Sequence, residues 1–252
     1  SELRADGNVL TTELHGGAGS LSNFAQEPAH VSAQRLVVDT AHGHATYSGK
    51  GRLWQGQSVI EAGTIEFDNP SHVLVARGKV RGVFPQTAWN PKPDLAPILT
   101  SRASSPARGQ TARSQTELGH VQGGMLTFWE TESRARIEQD ARADSPQGSI
   151  QANRIDLYFS TPSAVNATKE LSRAVAIGHV AVHQEDRWGT SNRAEYTASE
   201  GKFVLSEGKP TVYSSTGDTT TGRQLTFFFA DDRIVVDSAD GSKTVTLHRV
   251  EK

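Results

Sequence analysis

Cysteine is absent from all 252 residues, which excludes disulfide scaffolds, thiolate metal sites, iron–sulfur clusters and cysteine nucleophiles. A chain without cysteine suits either redox environment, so the compartment stays open. Neither sign of charge dominates: 26 Lys and Arg stand against 28 Asp and Glu. Nucleic-acid binders carry a basic excess, so no nucleic-acid partner is expected. Long apolar runs are missing too. The longest are about four residues, such as Phe227-Phe228-Phe229-Ala230. A membrane helix needs about 20, so no transmembrane segment is expected. No secretory leader is visible and the first residue is Ser1, which reads as a processed or trimmed chain. Hydrophobic residues make up only 35%, with one Met and 23 Gly, so the core must be built from small, β-branched and aromatic side chains.

Helical periodicity is scarce as well. The charge-rich window Thr131–Ala143 admits a helix by composition, but its apolar residues are too sparse to hold a face. Alternation with a period of two dominates elsewhere: Ile65-Glu66-Phe67, Val73-Leu74-Val75, Ile155 to Phe159, Leu225-Thr226-Phe227. Turn signals bound these runs at Asp68-Asn69-Pro70, Asp231-Asp232 and Ser238 to Gly241. Many short strands separated by turns predict an antiparallel all-β protein. Residues 84–120 break the pattern. They hold Pro85, Pro91, Pro93, Pro97 and Pro106, half of the ten prolines, with several Ser and Arg. That composition reads as a loop or linker. The chain therefore divides into 1–83, the Pro/Ser/Arg-rich segment 84–120, and 121–252, with the two flanking parts forming one continuous β-stack.

A six-residue pattern recurs along the chain. A small residue is followed by two variable residues, an aliphatic, a variable residue, and an apolar or aromatic one. Its copies begin at Ala33, Ala62, Gly123, Ala152 and Gly222, with a weaker copy at Ser191. The small residues at 33 and 62 lie 29 apart, as do those at 123 and 152, and those at 191 and 222 lie 31 apart. Twelve residues after Ala33 comes Ala45-Thr46-Tyr47, and twelve after Gly123 comes Ala135-Arg136-Ile137. A second element pairs Val75 to Val80 with Val175 to Val180, and a third pairs Leu53 to Ile60 with Leu205 to Val212. These define three units, 33–80, 123–180 and 191–241. None buries a face alone, so stacking must supply the core. The matched Gly56, Gly78, Gly178, Gly208 and Gly222 fall where turns or bulges need positive φ or close approach.

The run Val175 to Val180, then Arg193 to Tyr196, Gly201 to Leu205, Gly208-Lys209-Pro210 and Gly222 to Phe227 resembles the OstA-like family. That family comprises lipopolysaccharide-transport proteins of the LptA, LptC and LptD N-terminal-domain type. The resemblance is best over 171–241, fair over 31–82 and thin over 121–160. It implies an elongated, open-ended antiparallel β-jellyroll (a β-taco) of stacked repeats in the periplasm of a Gram-negative-type bacterium. It further implies a non-enzymatic module that shields lipopolysaccharide acyl chains in an apolar groove during transport to the outer membrane. Partners would be lipopolysaccharide and other Lpt-type β-jellyroll proteins, joined by edge-to-edge strand pairing, or further copies of the chain. The alternating Leu3–Glu13 and Thr244–Val250 suit such edges.

The repeated pattern supplies the groove candidates: Leu36 and Val38, Ile65 and Phe67, Leu126 and Phe128, Ile155 and Leu157, Leu225 and Phe227. Each pair falls in one phase of its strand, so stacking predicts a continuous apolar stripe. Aliphatic chains in such a groove gain about 25 cal/mol per Å² buried, without directed contacts. An ordinary β-sandwich core produces the same alternation. Catalytic signals are weak. His42/His44 and His179/His183 lack a third ligand at diagnostic spacing, so no metal and no cofactor is expected. Glu185-Asp186 and Asp231-Asp232 read as hairpin turns, and no serine sits in a nucleophile elbow. The Asn166-Ala167-Thr168 sequon is a weak signal, and Arg102, Arg108 and Arg113 read as a solvated loop. The rival readings are a carbohydrate-active β-repeat enzyme, which needs carboxylates in register, and a structural or adhesive β-repeat protein with a closed core.

Overall fold

A computed structural model describes residues 1–13, 28–85, 118–145, 148–160, 171–184, 187–228, 233–237 and 245–247. Its strands are β1 (Glu2–Glu13), β2 (Ala29–Asp39), β3 (His44–Gln55), β4 (Ser58–Asp68), β5 (Val73–Pro85), β6 (Leu118–Trp129), β7 (Arg134–Ser145) and β8 (Gly148–Phe159). There follow β9 (Leu171–Gln184), β10 (Arg187–Thr197), β11 (Lys202–Ser206), β12 (Thr211–Ser214), β13 (Thr219–Thr221), β14 (Gln224–Phe228), β15 (Arg233–Asp237) and β16 (Val245–Leu247). All 16 belong to one antiparallel sheet. From β1 to β11 each strand pairs with the next in sequence, as expected for a stack of hairpins.

The charge-rich window at 131–143 is a turn followed by β7, not a helix. Its alternation decides the matter: Ala135, Ile137, Ala141 and Ala143 are buried while Arg134, Arg136 and Glu138 are only partly so. Strands also reach further into the Pro-rich segment than composition suggests. Phe84 packs against the core from the end of β5, and Leu118 to His120 open β6. β5 and β6 pair directly, with Phe84 opposite Gly119. The expected turns at 185–186, 231–232 and 238–241, the sequon at 166–168, and the arginines of 102–113 lie outside the described residues.

Every long strand is bent near its middle. The ladder shifts register between Ser32 and Arg35, Ser48 and Gly51, Glu61 and Thr64, and Arg77 and Val80. It does so again at Gln122/Met125, Glu138/Ala141, Gln151/Arg154 and Ser191/Arg193. A bulge bends its strand, and bulges in line fold the whole sheet along one axis into two arms. At β10 the fold line becomes a fork: Arg193–Thr197 pairs with β11, while Arg187–Thr190 pairs with β12.

The repeat chemistry follows from this line. Odd-numbered strands cross it with left-handed residues, Gly49-Lys50, Gly78-Lys79, Gln139-Asp140 and Gly178-His179. Even-numbered strands place the repeat's small residue there: Ala33, Ala62, Gly123, Ala152 and Ser191. The inside of the bend has no room for more. A Cβ on Gly123 would stand 2.6 Å from Ile137 Cγ2 and 2.9 Å from the Glu138 carbonyl oxygen. At Gly123 the lack of a side chain is therefore a steric requirement of the fold line.

Candidate functional site

Cross-strand register assembles the interior into rows. In the first arm one row runs Ala5, Leu36, Tyr47, Ile65, Ala76, Leu126, Ile137, Ile155, Ala176, Ala194, Leu205, Leu225 and Val236. Beside it runs Leu3, Val38, Ala45, Phe67, Leu74, Phe128, Ala135, Leu157, Ala174, Tyr196, Phe203 and Phe227. Thirteen successive strands contribute to the first row without one charged residue. The ten sequence-derived candidates all fall into these two rows: Leu36, Ile65, Leu126, Ile155 and Leu225 in the first, Val38, Phe67, Phe128, Leu157 and Phe227 in the second.

Burial separates the rows. The five first-row candidates are buried, with Ile65 and Leu225 at 0% exposure. In the second row Phe128 and Leu157 are buried, whereas Val38, Phe67 and Phe227 are only partly so. The half-buried positions cluster at the two ends of the stack: Val38, Ala45 and Phe67 at one, Phe203 and Phe227 at the other. Each end holds an aromatic contact. Tyr47 meets Phe67 edge-on at 5.7 Å, and Phe203 meets Phe227 at 6.3 Å.

The repeat pattern found one strand in two. The intervening strands add Tyr47, Ala76, Ile137, Ala176 and Leu205 to the first row. Ala76 stands between the bulkier Ile65 and Leu126. The signal was present in Ala45-Thr46-Tyr47 and Ala135-Arg136-Ile137, both alternating and in phase. The second arm was missed. Its interior row runs Val31, Leu53, Ile60, Gly82, Val121, Ala143, Ile150, Val182, Gly189 and Val212. Residues of both arms form one hydrophobic cluster.

Asp156 and Glu195 stand on the outward phase of β8 and β10. Asp156 lies between the inward Ile155 and Leu157, yet only 3% of it is exposed. Arg136 Nε donates to its Oδ1 at 2.6 Å, and Arg154 Nε lies 3.0 Å from Oδ2. The bond to Asp156 holds the Arg136 guanidinium above its ordinary pKa. Arg134 covers the Trp129 ring at 4.0 Å. Arg173 Nε and Arg193 Nη2 donate to the Glu195 carboxylate at 2.7 and 3.0 Å, and chiefly the Arg173 bond lowers its pKa. Each carboxylate is held by arginines, as in a structural brace.

The His42 and His44 rings stack with centroids 6.5 Å apart. His42 Nδ1 lies 2.6 Å from Asp39 Oδ2, and this bond lowers the Asp39 pKa. His44 faces Asp68 at 3.5 Å, His179 contacts the Asn153 amide at 3.2 Å, and His183 stands opposite Trp188. Among the described residues no group of three or more His, Cys, Asp or Glu is arranged to hold a metal. No described helix is long and apolar enough to cross a membrane.

Among solved structures the chain is similar to LptH from Pseudomonas aeruginosa, described as the LptA-homologous periplasmic component of the lipopolysaccharide transport device. Identity is 12% and the TM-score 0.45, over 52% of this chain and 95% of that one. A search of curated proteins finds no match. The model of the LptA/LptD N-terminal-domain lipopolysaccharide-transport family matches residues 30–233, well over half of the chain. The chain belongs to that family.

Proposed function

We propose that this chain is a non-enzymatic periplasmic module that shields lipopolysaccharide acyl chains in the apolar interior between its two arms, during transport to the outer membrane. One observation carries the reading: two apolar rows run the length of the sheet, and the second becomes half-buried at both ends of the stack. An acyl chain lying along the second row meets only hydrocarbon and aromatic surface, and gains by the area it hides from water. The second-row Val38, Phe67, Phe128, Leu157 and Phe227 are the proposed contact set, with Val38, Phe67 and Phe227 the most accessible, and the first-row Leu36, Ile65, Leu126, Ile155 and Leu225 form the wall behind them. The strands before and after 84–120 act in this reading as one module. Partners are other Lpt-type β-jellyroll proteins, or further copies, added by strand pairing to β1. That strand ends the sheet order and carries Leu3 and Leu10 at 54% and 63% exposure.

A second reading, a closed structural β-repeat, has its own support in the fully buried first row. Photo-crosslinking separates the two. Benzoylphenylalanine replaces Phe67, Phe128 or Phe227, with the outward Glu66 and Thr226 as controls. Lipopolysaccharide adducts at the inward positions alone are expected. A folded protein that gives none at any inward position refutes the carrier reading.

A further inference from the structure

One interior side chain reaches from the first arm to the second. Tyr47 stands on β3 in the first row, between Leu36 and Ile65. Thr11 stands on β1 in the second arm, in the row of Val31 and Leu53. The two belong to rows on opposite sides of the fold line, two strands apart, yet their hydroxyls lie 2.8 Å from one another. Thr11 has one proton, and the Val31 carbonyl lies in its reach at 3.4 Å. With that proton directed to Val31, Tyr47 donates to Thr11. Phe67 braces the Tyr47 ring edge-on at 5.7 Å, and the residue is buried. Among the described residues Tyr47 is the one aromatic of the first row. A rigid ring anchored on β3 is thus tied across the interior to the end strand.

The position gives this bond a consequence. Among the described strands β1 ends the sheet order. Beyond Tyr47 the inward residues of β1 are Leu3, at the head of the second row, and the smaller Ala5, Val9 and Thr11. We infer that Tyr47 is a crossbar bounding the acyl-binding interior at the β1 end. A hydrocarbon chain that passes this end between the first row and the second arm must first break the Tyr47–Thr11 bond and turn the ring aside, and it offers no hydrogen bond in return. A chain resting between Phe67 and Phe227 leaves the bond intact. Tyr47 and Thr11 therefore set the rate of passage rather than the affinity of the interior. The inference rests on the groove reading of the preceding subsection.

The test uses the full chain loaded with pyrene-labelled hexadecanoic acid. Stopped-flow fluorescence follows release into phosphatidylcholine vesicles. Benzoylphenylalanine at Val9, on the end strand, or at Phe227, at the opposite end, reports where the chain lies. Tyr47→Phe and Thr11→Val each delete the bond and keep the shape. Each is expected to speed release about three- to tenfold, the equivalent of one hydrogen bond. The double variant should be no faster than either single one, since both remove the same bond. Adducts at Val9 should rise relative to those at Phe227. A purely structural bond would lower the melting temperature and leave that ratio alone. If wild type binds the probe, and release and ratio are unchanged in both variants, the crossbar is refuted and the groove stands. Failure of wild type to bind the probe at all refutes both.

Discussion

Replacing Ile155 by alanine tests the row geometry most directly. Ile155 is 1% exposed and faces Ile137 on one side and Ala176 on the other. The substitution removes three carbon groups, or about 2.4 kcal/mol at about 0.8 kcal/mol per buried CH₂. β8 is hydrogen-bonded along its length to β7 and β9, so the backbone cannot collapse into the void. The residual cavity adds to the cost, for a total of about 3–4 kcal/mol. A chain of this size loses roughly 2–4 °C per kcal/mol, so melting should fall by about 6–16 °C. Circular dichroism at 218 nm, in the usual ~β-sheet band, reads the transition. Phe227→Ala is the matched comparison. Phe227 is larger but only half-buried at the mouth of the stack, so its loss exposes less newly wetted surface and should cost less stability. Its effect should appear instead in lipid retention. A drop of under about 2 °C for Ile155→Ala, or a larger drop for Phe227→Ala, would show that the first row is not the dry core.

Two further outcomes follow from the outer face and the edge. Glu195, held by Arg173 and Arg193, has a lowered pKa in the folded protein. Its contribution to stability is complete above the unfolded value of about 4.3 and is lost as pH falls through the folded value. Glu195→Gln should therefore lower the melting temperature at neutral pH, and the gap from wild type should close on acidification below about pH 4; a gap independent of pH would refute the assignment. At the edge, Leu10→Lys places charge on the outward phase of the end strand, which opposes strand addition without touching the interior rows. Sedimentation velocity should show weaker self-association or partner binding at unchanged melting temperature; equal assembly would exclude β1 as the joining edge.

The amino-acid sequence settled the fold class and most of the first arm. Strand alternation repeats every two residues, so Leu36/Val38 or Leu225/Phe227 declares its phase within a few positions. The 29-residue spacing, between 33 and 62 and between 123 and 152, then aligns one hairpin with the next. Glycines such as Gly78 and Gly178 were legible for a similar reason, since their left-handed backbone is a local property. The charge-rich window at 131–143 was harder to read. Its buried positions are mostly alanine, whose weak hydrophobic signal hides the alternation.

Other features exist only once strands are side by side. The small residue at the head of each repeat looked like a degenerate motif letter, and only the neighbouring strand shows why nothing larger fits at Gly123. The second arm escaped notice because each bulge shifts the phase of its strand, so Val31 and Leu36, five residues apart, both face inward. The same separation governs the Tyr47–Thr11 bond, whose partners lie 36 residues apart. Sequence alone fixed which side chains are apolar and in phase along each strand, because that is a property of neighbours in the chain. The tertiary structure alone decided which of them form dry core, which stand half-open at the ends, and which cross between arms, because those depend on the fold of the sheet about its line of bulges.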